Sequence, residues 1–165
     1  LIKNQKDDWD KFEVVLGEPL IFGKIKNSKL IKRNFLEVIK KPSVLFKKNS
    51  LMDQFRIFHG SFFLKKSLNL LSLENKNSFE KFLNNYELNP YNMFICKNSK
   101  ILNQFYNEIF PWLFKCEEEF KNVNLSGYDK TRIYGFVAER YMPYWFKKNF
   151  KTTTCPRSFF ETNKQ

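Results

Sequence analysis

The sequence predicts a helix-rich protein of the α/β or α+β class. Three observations carry this prediction. Two short runs rich in strand formers, residues 12–16 (FEVVL) and 93–96 (MFIC), are bounded by turn residues. Between and after them, apolar residues recur at helical spacing over long stretches. Aromatic residues make up 18% of the chain, with 20 Phe, which favours a packed core over disorder. A length of 165 residues fits one domain with a core of its own.

Residues 12–16 form the first strand, closed by Gly17 and Pro19, and residues 20–22 a second, cut off by Gly23. Residues 24–48 are Lys-rich and broken by Pro42, and read as irregular with a short helix near 30–39. Ser50 caps a helix through Phe58, ended by His59-Gly60. Residues 62–73 and 79–86 are two more helices with a polar turn at 74–78 between them. Asn89-Pro90 precedes a buried strand at 93–96. Ser99 caps the longest helix, whose apolar face carries Ile101, Phe105, Ile109 and Cys116, and Pro111 kinks or splits it. After a loop at 122–127, a last helix over 129–148 carries Ile133, Val137, Tyr141 and Trp145 inward, and residues 151–155 make a final strand.

The formal charge is +12, from 29 basic and 17 acidic residues. A polyanion partner is one explanation. Codon bias is the simpler one, since Ala138 is the single alanine and Lys far outnumbers the five arginines. The interleaved Phe and Lys imitate a single-strand platform, yet no nucleic-acid motif accompanies them, so no nucleic-acid partner is assigned. What remains is peripheral attraction to an anionic membrane. Cys96, Cys116 and Cys155 stand apart without a CxxC spacing, which suits a reducing cytoplasm better than a disulfide framework. No apolar run is long enough to span a bilayer.

The last helix holds the most informative polar residues. Arg132, Gly135 and Glu139 fall at i, i+3 and i+7 and share a face. A carboxylate there can act as general base, an arginine can fix an anionic or hydroxyl-rich substrate, and a glycine between them lets a ligand or a chain segment approach the backbone. A structural ion pair or a solvated face is the competing reading. Arg140 projects elsewhere, toward a diphosphate or a neighbouring helix end. His59, the one imidazole, is a base or a packing residue. Asp8-Trp9-Asp10 has the DxD form that can hold a divalent metal, but it sits in a polar terminus ahead of the strand it should follow, and no metal site is assigned to it.

The stretch NPYNMFICKNSKILNQFYNEIFPWLFKCEEEF, followed by GYDKTRIYGFVAERYMPYWF, resembles a bacterial glycosyltransferase family of capsule, exopolysaccharide and O-antigen loci, long known as a domain of unknown function of the 4422 type. The motifs that carry the resemblance are YNMFI at 91–95, WLF at 112–114, and Tyr128 with Arg132 through Arg140. The likeness is specific over residues 89–145 and weaker over 12–73, where EVVLG and QFRIFHG correspond. It implies the C-terminal portion of a GT-A-like glycosyltransferase domain. Such an enzyme would act at the cytoplasmic face of the membrane and transfer a sugar from a nucleotide-sugar donor to a polysaccharide or lipid-linked glycan acceptor. Members carry an upstream nucleotide-binding strand and a HYRRY-like motif, neither of which occurs here. The expectation is therefore a chain that begins inside a longer enzyme, or a decayed or split one, with any divalent metal supplied by the upstream segment. The resemblance implies Glu139 as the catalytic base near the acceptor. Arg132, Arg140, Gly135, Asn92, Tyr128 and His59 are its substrate-binding candidates. The alternative is a non-catalytic module, derived from such an enzyme, that binds glycan or a membrane surface.

Overall fold

The computed structural model describes residues 9–123, 127 and 131–156. Its centre is a three-stranded mixed sheet. Strand β1 (Val14–Gly17) lies between β4 (Phe94–Cys96), which is antiparallel to it, and β5 (Thr152–Cys155), which is parallel. A parallel partner needs a long crossover, and nearly all the helices lie between β1 and β5 in the chain. A two-stranded ribbon, β2 (Leu20–Ile21) with β3 (Glu87–Leu88), flanks the sheet. Six α-helices are present among the described residues, in agreement with the helix-rich class.

The register explains the burial of the sheet. Val14 opposes Cys96 and Leu16 opposes Phe94, so these four side chains share the face turned to the core. Val15, Ile95 and Thr153 fall on the other face. The strand at 93–96 was expected to be buried. It is instead an edge strand, with Ile95 55% exposed and Met93 also exposed, because an apolar run next to a long helix buries only alternate residues. Phe94 does reach the core, its ring 5.7 Å from that of Phe105.

Residues 24–48 are more regular than their composition suggests. Helix α1 (Asn27–Lys40) occupies most of them, with a break at Asn34, whose backbone is extended (φ −158°) and whose Oδ1 accepts from the Glu37 N–H at 3.3 Å. Asn34 thus caps the second half of its own helix. A 3₁₀ turn at Pro42–Leu45 follows. Helix α2 (Leu51–His59) starts as expected, with Ser50 Oγ accepting from the Asp53 N–H, and stops at Gly60, where φ is +85°. Helix α3 (Ser61–Asn69) leads into α4 (Leu73–Leu83). The expected turn at 74–78 is in fact the start of α4, since Ser72 accepts from the Asn75 N–H and caps it. Helix α5 (Ser99–Phe120) is capped by Asn98 rather than Ser99, and it continues through Pro111 as one element. Helix α6 (Ile133–Asn149) begins four residues later than expected.

Helix α6 is the hub. It buries Arg140 through Phe146 without interruption and packs on α5, α4 and α3. Phe79 of α4, Trp112 of α5, and Tyr141 and Tyr144 of α6 form one aromatic cluster; Phe105, Trp145 and Phe146 form another beneath the sheet. Buried indoles satisfy their donors: Trp112 Nε1 donates to the Ser67 carbonyl at 2.9 Å, and Trp145 Nε1 to Glu108 at 2.7 Å. A second, smaller core of Leu30, Val38, Val44 and Ile57 fastens α1 to α2.

Glu37 is the polar anchor of that smaller core. Its carboxylate is 6% exposed and meets Lys40 Nζ at 2.8 Å, Ser61 Oγ at 3.0 Å and Arg56 at 3.5 Å. Burial works to raise its pKa, but the hydrogen bonds from Lys40 and Ser61 and the charges of Lys40 and Arg56 outweigh it and hold the pKa below the ordinary value. A depressed carboxylate stabilises the fold above its unfolded pKa, and that contribution is lost as pH falls through the folded one. Glu37→Gln is expected to cost about 1–3 kcal/mol at neutral pH. In urea titrations, the gap to the parent protein should narrow on acidification below about pH 4. A gap independent of pH would show that the charge contributes nothing.

All three cysteines are free thiols. Burial pushes the pKa of Cys116 up to about 11, whereas Cys96 and Cys155 are partly exposed. Mass spectrometry after brief iodoacetamide treatment should find Cys155 modified and Cys116 spared until the protein unfolds. Early labelling of Cys116 would mean that α5 opens readily.

Candidate functional site

The candidates separate into two groups, each with residues of α6. The first gathers at the C-terminal end of β1. The loop between β3 and β4 carries two consecutive non-glycine residues in the left-handed region, Tyr91 (φ 71°) and Asn92 (φ 49°). Both central residues at positive φ is the geometry of a type I′ turn, which favours Asn, Asp or Gly at its first position. A tyrosine there is strained, by roughly 1–2 kcal/mol. Such a conformation persists only when its surroundings hold it.

Three contacts do so. Asn89 is fully buried, and its Nδ2 donates to the Gly17 carbonyl at 2.6 Å, tying the loop to the end of β1. The Gly17 N–H donates to the Met93 carbonyl at 3.3 Å. From α6, Glu139 Oε1 accepts from the Tyr91 N–H at 2.7 Å. Glu139 is half-buried, and it was expected to line a concave site; it holds the turn by this bond but is not among the residues that line the groove the turn borders.

The turn forms one wall of a groove of about 580 Å³. Its floor is β1 from Val15 to Gly17. Tyr91 through Ile95 line one side, and Cys155 and Pro156 close the other. Tyr91 is 52% exposed. A mostly apolar trough with an aromatic ring (Tyr91) and a carboxamide (Asn92) in its wall is compatible in chemistry with a sugar. A sugar offers C–H faces for aromatic contact and paired hydroxyls for amides and carboxylates.

The second group is a ladder of rings and cations. Arg132 lies over the Phe136 ring, with Cζ 5.4 Å from its centre. Phe136 stacks on His59 at 4.2 Å, and His59 meets Phe55 edge-on at 4.9 Å. On Phe55 rests Arg140, 4.9 Å from the ring centre. Beside the ladder, Lys32, Arg33 and His59 line a second cleft of about 450 Å³.

Several expectations change here. Arg132 was to share a face with Glu139 and stand within reach of it. It is the N-cap residue of α6 (φ −97°, ψ 8°), its carbonyl accepts from the Phe136 N–H at 3.1 Å, and its guanidinium lies over the Phe136 ring. Gly135 was to be packed by a ligand or a chain segment, yet among the described residues nothing beyond its own stretch of helix lies within 4 Å of where a Cβ would sit, and the face is open. Arg140 reaches neither solvent nor an anion. It is 6% exposed, and its Nη1 donates to the Phe136 carbonyl at 2.9 Å. Its Nε has no partner among the described residues. Burial brings its pKa down to about 10 against the opposing charge of Glu139. His59 takes the packing role. Asn92 lies in the groove wall, as a polar residue at the strand's start should. Tyr128 and Asp8 lie outside the described residues.

Asn89, Tyr91 and Gly17 were not singled out as site residues. The signal for the turn was present in Asn89-Pro90 and Asn92. The signal for its link to Glu139 was not, because that contact joins residues 48 apart in the chain.

The sequence model of a family described as a domain of unknown function (DUF4422) matches residues 21–150. The chain belongs to that family. The DUF4422 match takes in all six helices, the Tyr91–Asn92 turn and Glu139, while β1 and β5, which floor and close the groove, flank it. No curated protein and no solved structure matches this DUF4422 chain. Among the described residues, no group of His, Cys, Asp or Glu is arranged to hold a metal ion, and no helix is long and apolar enough to cross a membrane.

Proposed function

We propose that this DUF4422 chain is the acceptor-side part of a glycosyltransferase, which passes a sugar from a nucleotide-sugar donor to a cell-surface polysaccharide or lipid-linked glycan. The observation that carries the reading is the strained Tyr91–Asn92 turn, which lines an apolar groove and is held by a hydrogen bond to Glu139. Strain of this kind is kept where geometry matters to function.

In this reading an acceptor saccharide lies in the groove, with a sugar face against Tyr91 and hydroxyls on Asn92. Glu139 takes the proton of the attacking hydroxyl as the new glycosidic bond forms and the bond from the anomeric carbon to the diphosphate breaks. One carboxylate oxygen holds the Tyr91 N–H, which fixes the side chain and leaves the other for the hydroxyl. Arg132 and the cations of the second cleft offer charge to phosphate. The donor nucleotide is assigned to a segment upstream of these residues.

The test is a transfer assay over a panel of sugar nucleotides, with this chain beside a longer one that includes the upstream segment. The expected result is turnover by the longer chain and little or none by the shorter. Robust turnover by the short chain would move the donor site into it. Saturable saccharide binding without turnover by either chain would favour a glycan-binding module over an enzyme.

A further inference from the structure

Much of the exposed apolar surface of this protein collects in one segment. In α1 and the turn after it, Ile31, Phe35, Leu36, Ile39 and Phe46 stand in solvent, Leu36 at 67% and Phe46 at 79% exposure. In the second half of α1, Phe35, Leu36 and Ile39 fall at i, i+1 and i+4 and share one side, while Glu37 and Val38 turn inward. Single exposed apolar residues are ordinary on a protein surface, but a contiguous group of large ones marks a contact site.

The charge of the same segment says what the contact is. Residues 24–48 hold nine Lys and Arg against one carboxylate, a net +8 in a chain of +12. That carboxylate, Glu37, is buried and already bound by Lys40, Arg56 and Ser61, so it offers nothing to a cationic partner. Lys24, Lys26, Lys32, Lys47 and Lys48 are exposed around the apolar residues. Codon bias accounts for many lysines. It does not account for their gathering around four or five large apolar side chains held out of the core. Apolar groups ringed by long cationic side chains suit an interface of acyl chains beneath phosphates, where the lysine stems lie along the apolar layer and their heads reach the anions.

We propose that α1 and the turn through Phe46 dock in the plane of an anionic phospholipid bilayer. Phe35, Leu36, Ile39 and Phe46 enter the acyl boundary and the surrounding lysines meet the lipid phosphates. The inference stands whether or not the chain transfers sugar.

Flotation with lipid vesicles tests it. The protein should float with vesicles of phosphatidylcholine mixed with phosphatidylglycerol and not with phosphatidylcholine alone. Binding should weaken with salt as the lysines are screened. Leu36→Asn and Phe46→Asn should each lower partitioning about tenfold. Both sites are exposed, so melting temperature should be unchanged. Leu73→Asn, on α4 and equally exposed, should leave binding intact. Equal binding to neutral vesicles, or binding indifferent to Leu36 and Phe46, would overturn the proposal. So would concentration-dependent dimerisation that Leu36→Asn abolishes, since the occupant would then be a second copy.

Discussion

Phe79→Ala should remove about 3–5 kcal/mol of stability, a large part of what a domain this size has to lose. Phe79 is wholly buried where three helices meet. Its ring lies 5.2 Å from Tyr141 and 6.4 Å from Trp112, edge-on to both, and 4.9 Å from Tyr144. These neighbours belong to α5 and α6, so Phe79 is the buried ring by which α4 packs on both. Truncation leaves a cavity walled by rigid aromatic rings, which cannot collapse into it as aliphatic chains can. Equilibrium urea unfolding, read by tryptophan fluorescence, should show a markedly lower midpoint with little change in slope. Phe79→Leu, which refills most of the volume, should recover roughly half of the loss. A loss below about 1 kcal/mol would mean that α4 is not held as described.

The other large effect is on chemistry. In an enzyme that carries the upstream segment, Glu139→Gln should lower turnover by on the order of 100-fold or more if Glu139 is the base. Glutamine keeps a carbonyl oxygen that can accept from the Tyr91 N–H, so the turn and the fold should survive. Glu139→Ala removes that acceptor as well. It should add about 1–3 kcal/mol of destabilisation, because the strained turn loses the contact that holds it and the Tyr91 N–H loses its partner. The pair of variants therefore separates the two roles. Full activity in Glu139→Gln with instability in Glu139→Ala would leave Glu139 a positioning residue for the turn. Loss of activity in both, with stability kept only by glutamine, is the expected pattern.

The fold was legible in the sequence wherever local chemistry decided it. Ser50 and Gly60 bound α2 because a hydroxyl cap and a positive φ are local demands, and the apolar face of α5 follows from spacing alone. Failures came where tertiary contacts overrode composition. Residues 24–48 look irregular by their lysines, yet Leu30 and Val38 have a small core to fill and Asn34 supplies an internal cap, so a helix forms. The strand at 93–96 looks buried by hydrophobicity, yet it lies at an edge, which only the pairing order reveals. The site was legible in part. Glu139 and Asn92 meet at one turn, while Arg132, at the N-cap of α6, lies over the Phe136 ring, a choice of partner that spacing alone does not make. Gly17, the loop that holds Asn89 and Tyr91, and Glu139 come together from three elements through hydrogen bonds between side chains and backbone, and no periodicity records those.

The central claim is that the groove at the Tyr91–Asn92 turn holds a saccharide. The most direct measurement is a titration of the isotopically labelled chain with a panel of hexose and furanose oligosaccharides, followed through the backbone amides. The account predicts saturable shifts at Gly17, Tyr91, Asn92 and Ile95 with at least one of these sugars, and the same residues unmoved in Glu139→Ala, where the turn is no longer held. Shifts confined to α1 or the exposed side of α5, with the amide of Tyr91 silent throughout, would contradict it.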